Sequence, residues 1–224
     1  MIEPLRRIQS SPAWVRGLPF VLVALLTMGQ GRFGPASAFW LYAAKTFVGA
    51  LLLWTWRKQI TEMRWAFSLE SVLVGVGVFV VWVGLDGLYP ELAPRDPATA
   101  WNPFDAFGEG SALAWGFVGL RMAGSSLMVP ALEEVFYRSL LYRWIADPDF
   151  MRRPLGEFAW KPFIATSVVF GVAHHEWLAG ILCGFAYQWL VCHTRRLGDA
   201  MTAHAITNFL LGLWVVWKGA WQFW

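Results

Sequence analysis

Charged residues are scarce in this sequence: Asp, Glu, Lys and Arg make up 15% of its 224 residues, whereas soluble domains contain about 25%. Hydrophobic residues account for 57%, and 16 residues are tryptophan. The net charge is only +3, and the cations stand at the ends of apolar runs, which argues against a nucleic-acid-binding protein. The composition is typical of a polytopic membrane protein whose partner is the lipid bilayer.

Cysteine is also scarce. The two cysteines, Cys183 and Cys192, lie in one apolar run, about two and a half helical turns apart, which is too far for a disulfide. We interpret them as small apolar residues, with lipidation or redox sites as the alternative. The first apolar run lacks a following small-residue cleavage site, so we predict that it is a retained span and not a signal peptide.

Long apolar runs predict an all-α, polytopic transmembrane helix bundle with seven or eight membrane helices. The predicted spans are Leu18–Gln30, Ala38–Trp56, Ser71–Leu88, Ser111–Trp144, Pro162–His174, Glu176–Cys192 and Ala200–Trp217. The number of membrane helices depends on the fourth run, Ser111–Trp144, which is longer than one span requires. Within it, Pro130 predicts a helix end or kink at Val129.

The distribution of Lys and Arg predicts the orientation. Cations gather at the N-terminus, at residues 57–64, at 138–161 and at 195–196, whereas the loop Tyr89–Gly110 is anionic. Cytoplasmic loops carry an excess of Lys and Arg. We therefore predict a multi-pass protein of the bacterial inner membrane with a cytoplasmic N-terminus, in which the fourth run makes a single bent crossing.

Two acids and an arginine interrupt the apolar run after Pro130. On a helix, Glu134 and Arg138 are four residues apart with the acid first, which is the favoured order for an ion pair. Glu133 points about 100° away and can face a neighbouring cavity. A charged side chain at the centre of a membrane helix costs roughly 2.5–3.5 kcal/mol, so a chain that keeps three of them is expected to use them.

Two histidines lie in other apolar runs. His174 follows Phe170 by four residues, and His204 precedes Asn208 by four. Three helices can therefore each present polar side chains to one shared interior. Water-dependent acyl cleavage needs such a set, because a base activates water, an imidazole shares its proton and donors hold the developing oxyanion.

Each pair of residues also has a simpler interpretation. Glu134 and Arg138 can form a purely structural ion pair, and Asn208 can hold helices together. Arg121 can pair with Asp86 or reach lipid headgroups. The occurrence of all three motifs in separate apolar helices favours a functional site.

The three motifs together resemble the CPBP intramembrane protease family, which includes the type II CAAX prenyl endopeptidases and Abi-like proteins. The matching segments are Glu133-Glu134-Val135-Phe136-Tyr137-Arg138, Phe170-Gly171-Val172-Ala173-His174 and His204-Ala205-Ile206-Thr207-Asn208. The resemblance implies one integral-membrane domain over 1–224, with variable spans in 18–110 and a motif-bearing protease core in 111–217. A weaker resemblance, carried by the tryptophan content and the Asn102-Pro103-Phe104 loop, is to the exosortase-associated CAAX protease-related subgroup.

The resemblance also implies roles for the motif residues. The catalytic residues would be Glu133, Glu134, His174, His204 and Asn208. Glu133 would be the general base that activates water together with His174. Glu134 would be the second motif carboxylate, held by Arg138. His204 and Asn208 would form the side of the site that stabilises the oxyanion.

The motifs leave the metal dependence open. Glu133, His174 and His204 can supply three ligands to Zn²⁺ and leave a fourth position for water. The sequence contains no H-E-x-x-H, the pattern of many zinc proteases. A glutamate-type mechanism without a cofactor is therefore favoured, and zinc is the alternative. His175, directly after His174, departs from the motif and can replace or assist its neighbour.

We predict an intramembrane endopeptidase that cuts a peptide bond near the cytoplasmic membrane face. Its substrates would be peptides or membrane-protein segments, including lipid-modified ones, and no nucleic-acid partner is expected. A non-catalytic immunity or assembly factor that keeps the fold is the alternative, against which the intact motif residues argue. A transporter with a buried proton relay is a third interpretation, but the internal repeat typical of many transporters is missing.

Overall fold

The computed structural model describes residues 11–92 and 100–224, among which helices but no strands are found. In chain order the helices are α1 (Pro12–Met28), α2 (Ser37–Trp56), α3 (Leu69–Gly84), α4 (Pro103–Phe107), α5 (Ala112–Ala146), α6 (Trp160–Val172), α7 (Trp177–Thr194) and α8 (Leu197–Lys218). Short 3-10 turns cover Phe150–Arg152 and Trp221–Phe223. The N-terminal cations Arg6 and Arg7 and the loop residues 93–99 lie outside the described residues.

Three of these helices, α2, α5 and α8, are long and apolar enough to cross a bilayer. Helices α1, α3 and α6 are also apolar but shorter. The prediction of an all-α membrane bundle is confirmed. Helix α5 is one continuous helix of 35 residues, which is the arrangement that the Lys and Arg distribution favours.

Pro130 does not end α5, so the prediction of a helix end at Val129 is wrong. A π-helical turn, Gly124–Met128, precedes the proline, and the Val129 N–H donates to the Gly124 carbonyl five residues back. A proline ring inside a regular α-helix clashes with the carbonyl four residues earlier. The wider π turn offers a way to relieve that clash. A second π turn, Val135–Leu141, follows the motif acids.

Helix α1 begins earlier than the predicted Leu18. It starts at Pro12, and the Ser11 side chain caps it. Arg16 therefore lies inside the helix, where it is buried and hydrogen-bonded to Glu62. In the sequence, Arg16 resembles a cation that flanks a span, but in the structure it is part of the packed bundle. The sequence did not indicate this, because its partner Glu62 lies in a distant loop.

Two glycines allow the close helix approaches that fix the motif residues. Helix α6 packs along α7, and α8 packs along α3. A Cβ at Gly171 would lie 2.5 Å from a backbone nitrogen of α7, and one at Gly75 would lie 2.6 Å from a carbonyl oxygen of α8. The Gly75 carbonyl also accepts a hydrogen bond from the Thr207 hydroxyl, at 2.8 Å. Any side chain at these positions would displace the segments that carry His174 and His204.

One end of the bundle is closed by a charged cluster centred on Glu62, in the loop between α2 and α3. Arg16 donates to the Glu62 carboxylate at 2.8 and 3.0 Å, and Arg143 donates to it at 3.0 Å. The Ser139 hydroxyl donates to the same carboxylate. Burial alone would raise the pKa of Glu62, but the hydrogen bonds and charge of Arg16 and the bond from Ser139 lower that pKa to about 2. We call these four residues the Glu62 cluster.

Candidate active site

A cavity of about 520 Å³ lies among the helices and collects four of the predicted site residues. It is lined by Glu133 from α5, His174 from the segment after α6, and His204 and Asn208 from α8. Residues of α1, α2 and α7 complete its walls. We call it the motif cavity, because residues from all three sequence motifs line it.

Glu133 presents an unsatisfied oxygen at this cavity. The residue is half-buried, and its Oε2 is buried without a hydrogen-bond partner among the described residues. A buried polar atom without a partner costs free energy. A water molecule or a polar substrate group in the motif cavity would recover that cost, so Glu133 is suited to bind and polarise one.

His174 is held in a defined orientation. Its Nδ1 lies 2.8 Å from the carbonyl oxygen of Phe170. A carbonyl can only accept, so Nδ1 carries a hydrogen and Nε2 keeps the lone pair of the neutral ring. The imidazole packs against the rings of Phe170 and Trp82, with centroid distances of 4.7 and 5.6 Å. The four-residue spacing of Phe170 and His174 thus allows both the hydrogen bond to the Phe170 carbonyl and the contact between the two rings.

Glu134 lies behind the cavity wall, between two partners. Its Oε1 is 3.0 Å from Nδ1 of His204, and its Oε2 is 3.1 Å from Nε of Arg138. All three side chains are buried. The ion pair expected from the sequence spacing is present, and the contact with His204 adds a second partner that the spacing could not reveal. Glu134 does not line the cavity, whereas its partner His204 does.

Aromatic rings surround this buried charge network. The Arg138 guanidinium lies 4.5 Å from the Phe170 ring centroid, and the Tyr187 ring stacks on His204 at 5.1 Å. The Tyr187 hydroxyl donates to Thr207 at 2.7 Å. The sequence analysis did not single out Tyr187 or Thr207. Thr207 could have been noticed, because it lies within the third motif, whereas Tyr187 carries no local signal.

Asn208 is anchored to the first π turn of α5. Its Nδ2 donates to the Ser125 carbonyl at 2.8 Å, which uses one of its two amide hydrogens. The second hydrogen can serve a group in the motif cavity. The π turn before Pro130 therefore also supplies the acceptor that orients this side chain.

The metal dependence stays a prediction. Among residues 11–92 and 100–224, no group of three His, Cys, Asp or Glu side chains is placed to hold a metal ion. Glu133, His174 and His204, the set predicted for zinc, line one cavity, and Nδ1 of His204 faces Glu134.

Two cations that the sequence analysis left outside the site also line the motif cavity, Lys45 from α2 and Arg121 from α5. Arg121 does not pair with Asp86, one of the two predicted partners. Asp86 instead accepts a hydrogen bond from Gln222 at 3.4 Å, and Arg121 lies 4.5 Å from the Trp101 ring centroid. These neighbours come from separate parts of the chain, so no local pattern could indicate them.

The rim of the cavity carries the two residues after His174. His175 is exposed and Glu176 is buried, and both line the cavity. The predicted substitution of His175 for its neighbour stays a prediction. His174 has the backbone bond to Phe170 that fixes its ring.

A polar cavity lined by acids and imidazoles within an apolar helix bundle is typical of an intramembrane hydrolase. The family model described as "Type II CAAX prenyl endopeptidase Rce1-like" matches residues 113–210. That segment covers less than half of the chain but contains all three motifs, and the match supports the CPBP intramembrane protease family. The resemblance drawn from the motifs is confirmed. No curated protein and no solved structure matches the chain.

The match has consequences at the level of the family. It supports a CAAX-protease-type peptidase that is integral to the membrane and acts on a peptide or protein substrate. The non-catalytic alternative is not favoured. The exosortase-associated subgroup stays a prediction, since the match does not address it.

Proposed function

We propose that the protein is an intramembrane endopeptidase that hydrolyses a peptide bond in the motif cavity with a water molecule activated by Glu133 and His174. The observation that carries the proposal is the unpartnered Oε2 of Glu133 in the same cavity as His174, His204 and Asn208. A carboxylate that lacks a partner inside an apolar bundle is suited to accept a proton from bound water.

The reaction would proceed in two stages. Glu133 takes a proton from water, with the lone pair on Nε2 of His174 orienting the same molecule, and the hydroxide attacks the substrate carbonyl carbon. The tetrahedral intermediate then collapses, the C–N bond breaks, and Glu133 returns the proton to the leaving amine. One carboxyl group thus serves first as base and then as acid.

His204 and Asn208 would stabilise the negative charge of the tetrahedral intermediate, while Glu133 and His174 act on the water molecule. Nδ1 of His204 donates to the Glu134 carboxylate. When Nε2 of His204 also carries a hydrogen, it can donate that hydrogen to the oxyanion. Asn208, fixed by Ser125, would add a second donor. Preorganised donors of this kind are usually a large contribution to acyl-transfer catalysis.

We propose that the reaction lies nearer the cytoplasmic face, as the cation distribution predicts. The cation-rich loops contain Arg57, Lys58, Arg64, Arg152, Arg153, Arg195 and Arg196, and by the positive-inside rule they are cytoplasmic. Glu133 lies on the half of α5 that ends at these loops, and His204 lies on the half of α8 that begins at them. The cavity also reaches Met28, Trp82 and Trp224 at the opposite ends of their helices, so it would extend toward the far leaflet.

The catalytic assignment is tested with the full chain in liposomes and a mixture of lipidated and unlipidated peptides, with products read by mass spectrometry. We expect cleavage by the unchanged protein and its loss in Glu133→Gln and His174→Ala. The matched controls are Glu157→Gln and His193→Ala, whose side chains are 39% and 54% exposed. Full activity in both cavity variants would refute the proposal.

The membrane face is tested by cysteine labelling in intact bacterial cells. Cys183→Ala and Cys192→Ala remove the free thiols, after which Glu109→Cys or Lys58→Cys introduces one exposed position. An impermeant maleimide is expected to label the first variant in intact cells and the second only after permeabilisation. The reverse pattern would contradict the cytoplasmic face.

A further inference from the structure

Two cations, the buried Lys45 and the half-buried Arg121, share the motif cavity with the hydrolytic groups. Lys45 is only 9% exposed, and Arg121 comes from the same helix as Glu133, three turns nearer its beginning. Both line the cavity. Neither belongs to the three motifs, and the mechanism above uses neither of them.

Neutral groups surround both cations. Lys45 donates to the Thr27 hydroxyl at 3.0 Å and lies 4.6 Å from the Tyr42 ring centroid. The Arg121 guanidinium lies 4.7 Å from the same ring and 4.5 Å from that of Trp101. Among the residues that the structure describes, neither cation forms an ion pair with a carboxylate.

The two positive charges are close enough to repel one another, since Lys45 and Arg121 lie 4.6 and 4.7 Å from the same Tyr42 ring centroid. A cation within an apolar bundle is costly unless it is paired. Cation–π contacts with Tyr42 and Trp101 recover part of that cost and hold the cations in place. An incoming anion would recover the rest, because it would meet two charges already oriented and partly desolvated.

We propose that Lys45 and Arg121 form a subsite for a carboxylate of the peptide substrate, either at its C-terminus or on an Asp or Glu side chain. The planar guanidinium can bind both carboxylate oxygens, and the ammonium adds a point charge. This inference rests on the proposed peptidase function, because the subsite matters only for a peptide that also reaches Glu133. It makes the cavity selective for peptides with a negative charge a short distance from the scissile bond.

The test compares matched peptides with the full chain reconstituted in phosphatidylcholine liposomes. Each pair differs only in a carboxylate against a carboxamide: a free or amidated C-terminus, or Asp against Asn. The unchanged protein is expected to cleave the acid with a kcat/KM roughly tenfold or more above that of the amide, since hydrogen bonds to charged groups have this strength. In the Lys45→Met, Arg121→Gln double variant the ratio should fall to about one while the amides keep their rate. Lys58→Met, exposed at the other end of the bundle, should leave the ratio unchanged.

Several results would overturn the subsite. These are no preference in the unchanged protein, the same preference in the double variant, or an equal loss for acids and amides, which would mean that the cations act only through Glu133. A preference that appears only with phosphatidylglycerol in the liposomes would assign the cations to lipid phosphate instead. The Lys45→Met change removes a buried charge and should not lower the melting temperature.

A binding measurement separates this inference from the proposed function. Fluorescent acid and amide peptides are titrated against the Glu133→Gln protein, which needs no turnover. If Glu133→Gln leaves cleavage intact, the proposed function fails. A binding ratio near one would refute the subsite even if Glu133 proves essential.

Discussion

Two regions of the helix bundle differ in how they treat buried charge. At the closed end of the bundle, the carboxylate of Glu62 satisfies Arg16 and Arg143 with bonds of 2.8–3.0 Å. In the motif cavity, Glu133 has an unpartnered oxygen and Lys45 has a hydroxyl as its hydrogen-bond partner. Paired buried charge is what packing requires. Buried charge left unpaired beside a cavity indicates that a ligand completes it.

The same contrast separates two consecutive residues. Glu134 is fully buried and held by Arg138 and His204, whereas Glu133 faces the motif cavity. One carboxylate therefore belongs to the packed structure, and its neighbour is the one that we propose for the chemistry. Replacing Glu133 and Glu134 one at a time is the most direct test of this difference.

Replacing Glu133 should have the largest effect. Glu133→Gln keeps the shape of the side chain but removes the proton acceptor, so peptide hydrolysis should fall by about 10²–10⁴-fold. The melting temperature in detergent should not fall, because the lost charge had no protein partner. A variant that loses stability together with activity would place Glu133 in the packed structure.

Replacing Glu134 should mainly cost stability. Glu134→Gln leaves Arg138 buried without its carboxylate, and the loss of one partner of a buried pair costs about 3–5 kcal/mol. Chemical denaturation in detergent measures the change. Hydrolysis should fall as well, since His204 loses the group that orients it. An unchanged unfolding midpoint would contradict the packing role of Glu134.

Replacing Glu62 should give a smaller loss, because its side chain is 12% exposed. Glu62→Gln is expected to lower the free energy of unfolding by about 1–3 kcal/mol, the cost of leaving buried donors unsatisfied. Hydrolysis by the folded fraction should be unchanged, since Glu62 does not line the motif cavity. A loss of activity without a loss of stability would show that Glu62 influences the motif cavity.

The pH dependence sharpens this prediction. The folded pKa of Glu62 is about 2, below its unfolded value of about 4.3, so the folded state favours the ionised form. The resulting stabilisation is complete above the unfolded pKa and is lost as the pH falls towards 2. The stability difference between the unchanged protein and Glu62→Gln should therefore shrink between about pH 4 and pH 2. A constant difference would contradict the assignment.

The smallest effect is expected at the surface. Arg152 and Asp149 form an ion pair whose side chains are 79% and 57% exposed. Exposed pairs contribute about 0–1 kcal/mol, so Arg152→Ala should change neither the unfolding midpoint nor hydrolysis measurably. A large loss would show that exposure is a poor guide to the role of charge in this protein.

Local sequence patterns predicted the parts of the site that depend on helical spacing. The four-residue spacings give the Glu134–Arg138 pair, and they place His204 and Asn208 on one wall. The π turns were not predictable, because they depend on how α5 accommodates Pro130 within its surroundings. Lys45 was also missed, since its meeting with the cavity depends on contacts between distant helices.

The two π turns of α5 have a consequence for insertions and deletions. Each such turn contains about one residue more than an α turn of 3.6 residues. Deleting one residue from Val135–Leu141 would let that turn close as α-helix, and the residues beyond it would keep their rotational phase, because an α turn covers the same full rotation with one residue fewer. Forcing all seven residues into regular α-helix would instead rotate everything beyond them by about 100° relative to Glu133 and Glu134. Arg143 would then point away from Glu62. The π turn thus absorbs one residue, so that one helix can face the motif cavity and the closed end of the bundle at the same time.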